Sequence, residues 1–220
     1  MGNWGYQQKT DPTASSDRAE ADLNASIQRN AKNSPAYQYR AELNYSRALC
    51  AQDPLPYWER AVADYSRYLE FPGLARKRYF EILFWRGRCL YLWSADVAVR
   101  KGDPRPTLDK AVADFGRVLE QDPANASALF WRGRACVEWG FELKRRKEDA
   151  RAKFEMAVVD LSKILAANPK DVRALNWRGL AHYYAERWKE ALADLETVAE
   201  ADPANRKKLQ PIIDECRRRL

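Results

Sequence analysis

The sequence predicts an all-α chain of repeated helical hairpins, and three observations carry that prediction. A short motif recurs four times: AYQYRAE at Ala36–Glu42, ILFWRGR at Ile82–Arg88, ALFWRGR at Ala128–Arg134 and ALNWRGL at Ala174–Leu180. Its arginines, Arg40, Arg86, Arg132 and Arg178, stand 46 residues apart each time. A second motif follows each copy: AVADYSRYLE from Ala61, AVADFGRVLE from Ala111, AVVDLSKILA from Ala157 and ALADLETVAE from Ala191, spaced by 50, 46 and 34. A proline turn then closes each unit: FPG at Phe71, QDPAN at Gln121, ANPKD at Ala167 and ADPAN at Ala201.

Both motifs are helical. Leu129, Arg132, Gly133 and Cys136 recur at i, i+3, i+4, i+7, as do Ala157, Asp160, Leu161 and Ile164. Proline disfavours helix in the residue before it, so each turn ends a second helix. No segment alternates like a strand, and nine Gly with eleven Pro in 220 residues are too few for an all-β chain. Hydrophobic residues at 46% supply a core and exclude wholesale disorder. No apolar run approaches the ~18 residues of a transmembrane helix.

Taken in order, residues 1–16 are polar and read as a flexible segment. Residues 17–33 read as an orphan second helix, with Asp22 and Leu23 in phase with the second motif and Ser16 or Asp17 as its cap. Four hairpins follow, over residues 34–79, 80–125, 126–171 and 172–205. Residues 206–220 form a capping helix, with Leu209, Ile212, Ile213, Cys216 and Leu220 as its apolar stripe and arginines and lysines opposite.

These residues resemble the tetratricopeptide repeat (TPR) family. Gly179, Ala191, Leu195 and Pro203 in the last unit match its two small residues, large apolar residue and closing proline. Gly87 to Ala111 and Gly133 to Ala157 each span 24 residues, where Gly179 to Ala191 spans 12, so the earlier hairpins are lengthened. Shared equally as helix, 12 extra residues would add about 9 Å to each partner. The resemblance implies a right-handed TPR-like α-solenoid with a C-terminal capping helix. It also implies a non-catalytic scaffold that binds a peptide or protein along its concave first-helix face. Mapped here, that groove comprises Glu81, Phe84, Arg88, Tyr91, Phe130, Arg134, Arg173, Asn176, Tyr183 and Tyr184, and an acidic partner fits its arginines best.

The repeated charges read as structural ion pairs between the helices of each hairpin: Arg40 with Asp64, Arg86 with Asp114, Arg132 with Asp160, Arg178 with Asp194. A ligand-binding arginine ladder is the alternative. Trp85, Trp131 and Trp177, with Tyr39 in the first unit, read as packing residues, the alternative being a stacking ladder.

Lys plus Arg is 38 against 31 acids, a net +7 that falls short of a dedicated nucleic-acid arm. The clusters at 76–78, 144–147 and 217–219 come from different units and read as solvated helix faces. A helical-repeat RNA-binding protein using them, and a self-assembly module joined through the half-repeat at 17–33, are the competing functions. The lone histidine, His182, lies in no catalytic motif, and the four scattered cysteines form no metal or redox pattern, so we expect no catalysis, metal or cofactor. Each cysteine falls in an apolar helical pattern and reads as a buried free thiol. The N-terminus as written carries no basic start with an apolar stretch, so the expectation is cytoplasmic, or periplasmic or lipoprotein-anchored if a signal once preceded it.

Overall fold

The structure is a computed structural model and describes residues 12–220. Among the described residues there are ten helices and no strand: α1 (Pro12–Arg29), α2 (Ser34–Cys50), α3 (Leu55–Leu69), α4 (Arg76–Val99), α5 (Arg105–Gln121), α6 (Ala126–Arg145), α7 (Arg151–Ala167), α8 (Val172–Tyr184), α9 (Trp188–Ala201) and α10 (Pro203–Arg219). They form two compact units, the second beginning at Arg76. In the first, α1 packs on α2 and α2 on α3. In the second, α4 pairs with α5, α6 with α7 and α8 with α9, while α10 closes against α9. Neighbouring hairpins of this unit join through α5 on α6 and α7 on α8, and the first helices α6 and α8 also touch.

Small residues let the helices of a hairpin approach. A Cβ on Gly133 would lie 2.9 Å from Cγ of Leu161, and the facing Ala157 is fully buried. The large residue after each motif aspartate fills the space between: Tyr65, Phe115, Leu161 and Leu195 are all at most 1% exposed. Truncating one to alanine would cost about 2–5 kcal/mol.

The ends of the elements differ from expectation. The expected flexible segment 1–16 lies outside the described residues as far as residue 11, and its last five residues are helical, because Pro12 suits the first turn of a helix. Ser16 and Asp17 therefore sit inside α1 and not at its start; Asp17 pairs with Arg47 at 2.5 Å. Helix α4 starts at Arg76, within what the sequence assigned to the first hairpin, and α10 starts at Pro203. Asp202 explains the latter, since its side chain accepts from the backbone N–H of Ala204 and Asn205. The proline turns thus start helices as well as stop them. Asn125 caps α6 through the Ala128 N–H, and Asp171 caps α8 through those of Arg173 and Ala174.

The extra length is not shared equally. First helices α4 and α6 have 24 and 20 residues against 13 in α8, whereas α5 and α7 have 17 against 14 in α9. The first helices take most of it. Each ends on a non-glycine residue in the left-handed region, Lys101, Lys147 or Glu186, with φ of 61–62°. At each end the next N–H reaches back to a carbonyl five residues earlier: Gly102 to Val97, Glu148 to Leu143, Arg187 to His182.

Candidate partner-binding face

The first motif places one arginine of every hairpin on the side facing the second helix, followed by Gly in three and by Ala41 in the first. Arg132 donates from Nε and Nη2 to both oxygens of Asp160 at 2.7 and 2.8 Å, and Asp160 is fully buried. The same bidentate geometry joins Arg40 to Asp64 (2.8 and 2.6 Å), Arg86 to Asp114 (both 2.7 Å) and Arg178 to Asp194 (both 2.8 Å). Hydrogen bonding to the aspartate holds the Arg132 and Arg178 guanidinium pKa above its ordinary value. Arg178 and Arg40 also use a third nitrogen to reach the preceding second helix. Arg178 Nη1 donates to Ser162 Oγ at 3.1 Å, and Arg40 Nη1 to Asn24 Oδ1 at 2.6 Å.

Two residues further on, in the second compact unit, Arg88 and Arg134 turn to the opposite side and meet aromatic rings. The Arg88 guanidinium carbon lies 4.9 Å from the ring centres of both Trp85 and Trp131. That of Arg134 lies 5.4 Å from Trp131, 4.7 Å from Trp177 and 4.9 Å from Tyr91. The order Trp85, Arg88, Trp131, Arg134, Trp177 therefore alternates ring and cation across α4, α6 and α8. Each such contact is worth about 0.5–2 kcal/mol. Among the described residues no carboxylate pairs with Arg134, so its charge is held by rings and not cancelled.

The other expected groove residues divide. Phe84 and Phe130 are half-buried on the ladder's side, each edge-on to the tryptophan that follows it at 5.8 and 5.6 Å. Arg173 is exposed and lies 5.2 Å over the Phe130 ring, and Glu81 is exposed and paired with Arg78 at 2.7 Å. Asn176 is half-buried. Tyr91 does not line an open surface: it is 1% exposed, covered by Arg134, and its hydroxyl donates to Glu138 at 3.0 Å. Tyr183 and Tyr184 diverge. Tyr184 turns back to Phe141 and Phe154, at 5.2 and 5.9 Å, because α6 and α7 overhang the shorter α8. Tyr183 meets Trp188 at the start of α9.

By sequence the tryptophans read as packing residues, and in the structure they are also the rings that hold the arginines. The signal was in the sequence, because W-R-G-R puts Trp and the second Arg at i,i+3 on one helix face. In the first unit Glu42 replaces that arginine, and Tyr39, which precedes Arg40, is 57% exposed.

The basic clusters are largely engaged with neighbouring acids. Lys144 donates to Glu186 and to the Tyr184 carbonyl, at 2.9 and 2.8 Å. Arg145 and Arg146 both donate to Glu142, at 2.7 and 2.6 Å, and hydrogen bonds from Arg145 and Arg146 hold its carboxyl below the usual range. Arg217 pairs with Glu196, and Arg218 and Arg219 with Glu215. At the hairpin-loop edge Arg105 joins Asp103 to Glu148, at 2.8 and 3.0 Å, and that contact lowers the Asp103 carboxyl to about 2.

His182 is buried, and burial pushes its imidazole pKa down. Cys89 and Cys136 are buried free thiols raised by burial to about 12. Cys216 is also buried and free, whereas Cys50 is exposed, at the last residue of α2 where the apolar phase has run out. Among the described residues, no group of three His, Cys, Asp or Glu could hold a metal ion, and no helix is long and apolar enough to cross a membrane.

No protein-family model matches the sequence, and no curated protein matches it. Solved structures do. A point mutant of MamA is similar at 18% identity, covering 82% of this chain and 85% of that one, with a TM-score of 0.55. A MamA RS-1 double mutant is similar at 19% identity over 82% and 90% of the two chains, with a TM-score of 0.54. The chain folds as a TPR-like repeat array. YrrB, a TPR protein, is a looser likeness at 18% identity over 84% and 94%, with a TM-score of 0.39. At these identities what is shared is the fold, so the residues that act on a TPR-like frame must be argued from this chain alone.

Proposed function

We propose that this TPR-like chain is a non-catalytic scaffold that holds a protein or peptide partner with acidic groups on the first-helix face of α4, α6 and α8. The supporting observation is the ring–cation ladder. Stacking fixes the plane of each guanidinium before a ligand arrives, which lowers the ordering cost of a bidentate carboxylate contact. Arg134 has no carboxylate of its own, unlike Arg132 two residues away. Aromatic and arginine side chains are also the types that dominate binding energy at interfaces. An RNA-binding reading is weaker, because so many of the cluster arginines are already matched by carboxylates.

The test is a pull-down from extract of the source cells, comparing wild type with a Phe84→Ala, Arg88→Ala, Phe130→Ala, Arg134→Ala variant shown by circular dichroism to be helical. A protein retained by wild type and lost by the variant is the expected result. Equal recovery by both would remove this face from consideration.

A further inference from the structure

A cavity of about 570 Å³ opens beside Phe84, between the start of α4, the end of α5 and the start of α6. Phe80, Phe84 and Val118 supply its apolar lining, and Arg76 and Lys77 also border it. Among the described residues neither Arg76 nor Lys77 has a carboxylate partner. The bordering acids are engaged, Glu81 by Arg78 at 2.7 Å and Asp122 by Asn125 at 3.2 Å.

The next repeat contains the same cavity, much reduced. Forty-six residues on, Phe130, Ile164, Asp171 and Arg173 stand where Phe84, Val118, Asn125 and Ser127 stand here, around a space of only about 120 Å³. Ser127 and Arg173 occupy the same position of α6 and α8, two residues after the caps Asn125 and Asp171. Arg173 lays its guanidinium 5.2 Å from the centre of the Phe130 ring. Ser127 is too short to do this for Phe84. One repeat narrows its own cavity with Arg173 and the other leaves it wide.

We propose that the open cavity is an anchor subsite for a large apolar side chain, such as Leu, Met or Phe, from an extended peptide whose acidic residue reaches Arg88. Phe84 and Arg88 are one helical turn apart, about 6 Å, which two residues of extended chain span at about 3.3 Å each. The recognised chemistry is therefore an apolar residue two positions from Asp or Glu. Arg76, Lys77 and Arg134 add positive charge on either side, which favours acidic flanks. This rests on the first-helix face being the partner-binding face.

A phage-displayed random peptide library selected on the immobilised full chain tests it. Enriched peptides are made with a fluorescein label and titrated by anisotropy against wild type, Ser127→Arg, and an Arg88→Ala, Arg134→Ala variant. Ser127→Arg copies what Arg173 already does in the next repeat, and circular dichroism checks that it folds. The expected result is a shared apolar-x-acidic pattern, with at least tenfold weaker binding to Ser127→Arg. Replacing the peptide's apolar residue by alanine should weaken binding to wild type as much, and this arm needs no protein variant. Peptides that bind wild type and Ser127→Arg equally but fail on the arginine variant would overturn the cavity while keeping the face. Peptides indifferent to both variants, or no enrichment at all, would overturn both.

Discussion

Arg132 and Arg134 are separated by one glycine and share a residue type, yet they do opposite things. Two residues turn an α-helix by about 200°, so the pair faces opposite sides of α6. On one side Arg132 meets a fully buried carboxylate from α7 and is neutralised in a fixed geometry. On the other side Arg134 meets rings from α4, α6 and α8 and keeps its charge. The comparison teaches that helical phase, not residue identity, separates an arginine that meets a buried carboxylate from one held among aromatic rings.

The largest effect should come from removing the carboxylate. Asp160→Ala strands a partly buried guanidinium and should cost about 3 kcal/mol, or about 6–12 °C in Tm for a chain of this size. Adding Arg132→Met should recover much of that, because the stranded charge goes with it. Arg134→Met should cost about 1 kcal/mol or less, since its apolar stem still packs on the rings. Denaturant melts of the four proteins decide the matter, and comparable losses at Asp160 and Arg134 would break the distinction.

A smaller gain should sharpen it. Arg178 and Arg40 each reach the preceding second helix through Ser162 and Asn24, but the matching position before Arg132 is Gly116. A Cβ there would lie 3.7 Å from Arg132 Nη1, in ordinary contact. Gly116→Ser should stabilise by about 0.5–1 kcal/mol, from helix propensity and the added acceptor. An unchanged or lowered denaturation midpoint would refute the shared role of that position.

The smallest effect is one of pH. Burial depresses the His182 pKa, while the nearby Asp194 and Glu190 oppose that shift and Arg178 and Arg187 reinforce it. The folded protein thus binds this proton less readily than the unfolded chain. Its contribution to stability is full above the ordinary value of about 6.5 and is lost as pH falls through the lower folded pKa. His182 is the only histidine, so its NMR titration is unambiguous. A midpoint below 6.5 is expected, together with a shallower fall in Tm on acidification for His182→Gln. A midpoint at or above 6.5 would contradict the buried, neutral imidazole.

Much of this could be read from the chain alone. The repeated R-G and A-x-x-D motifs placed the hairpins, because small residues at helical spacing require a close helix partner and proline turns interrupt the helices. Local chemistry blurred the ends: Asp202 caps α10 early, and Pro12 admits an earlier start to α1. The hairpins are lengthened as expected, but sequence length does not say which helix absorbs an insertion, and the first helices take most of it. The candidate face was legible in part. Phe84, Arg88, Phe130 and Arg134 fall on one face by period, but Tyr91 falls there too and is buried under Arg134.

Sequence by itself determined the helical class, the repeat and the residue types on each helix face, since these depend on periodicity within one element. The tertiary structure alone decided which rings bracket which cations, and that Phe84 borders a cavity of about 570 Å³ while Phe130 lies under Arg173. Those outcomes depend on side chains from neighbouring hairpins meeting across space. Ser127 against Arg173 is one of several differences in the lining, beside Phe80 against Ala126 and Val118 against Ile164, and its consequence becomes visible only once a phenylalanine lies beside it.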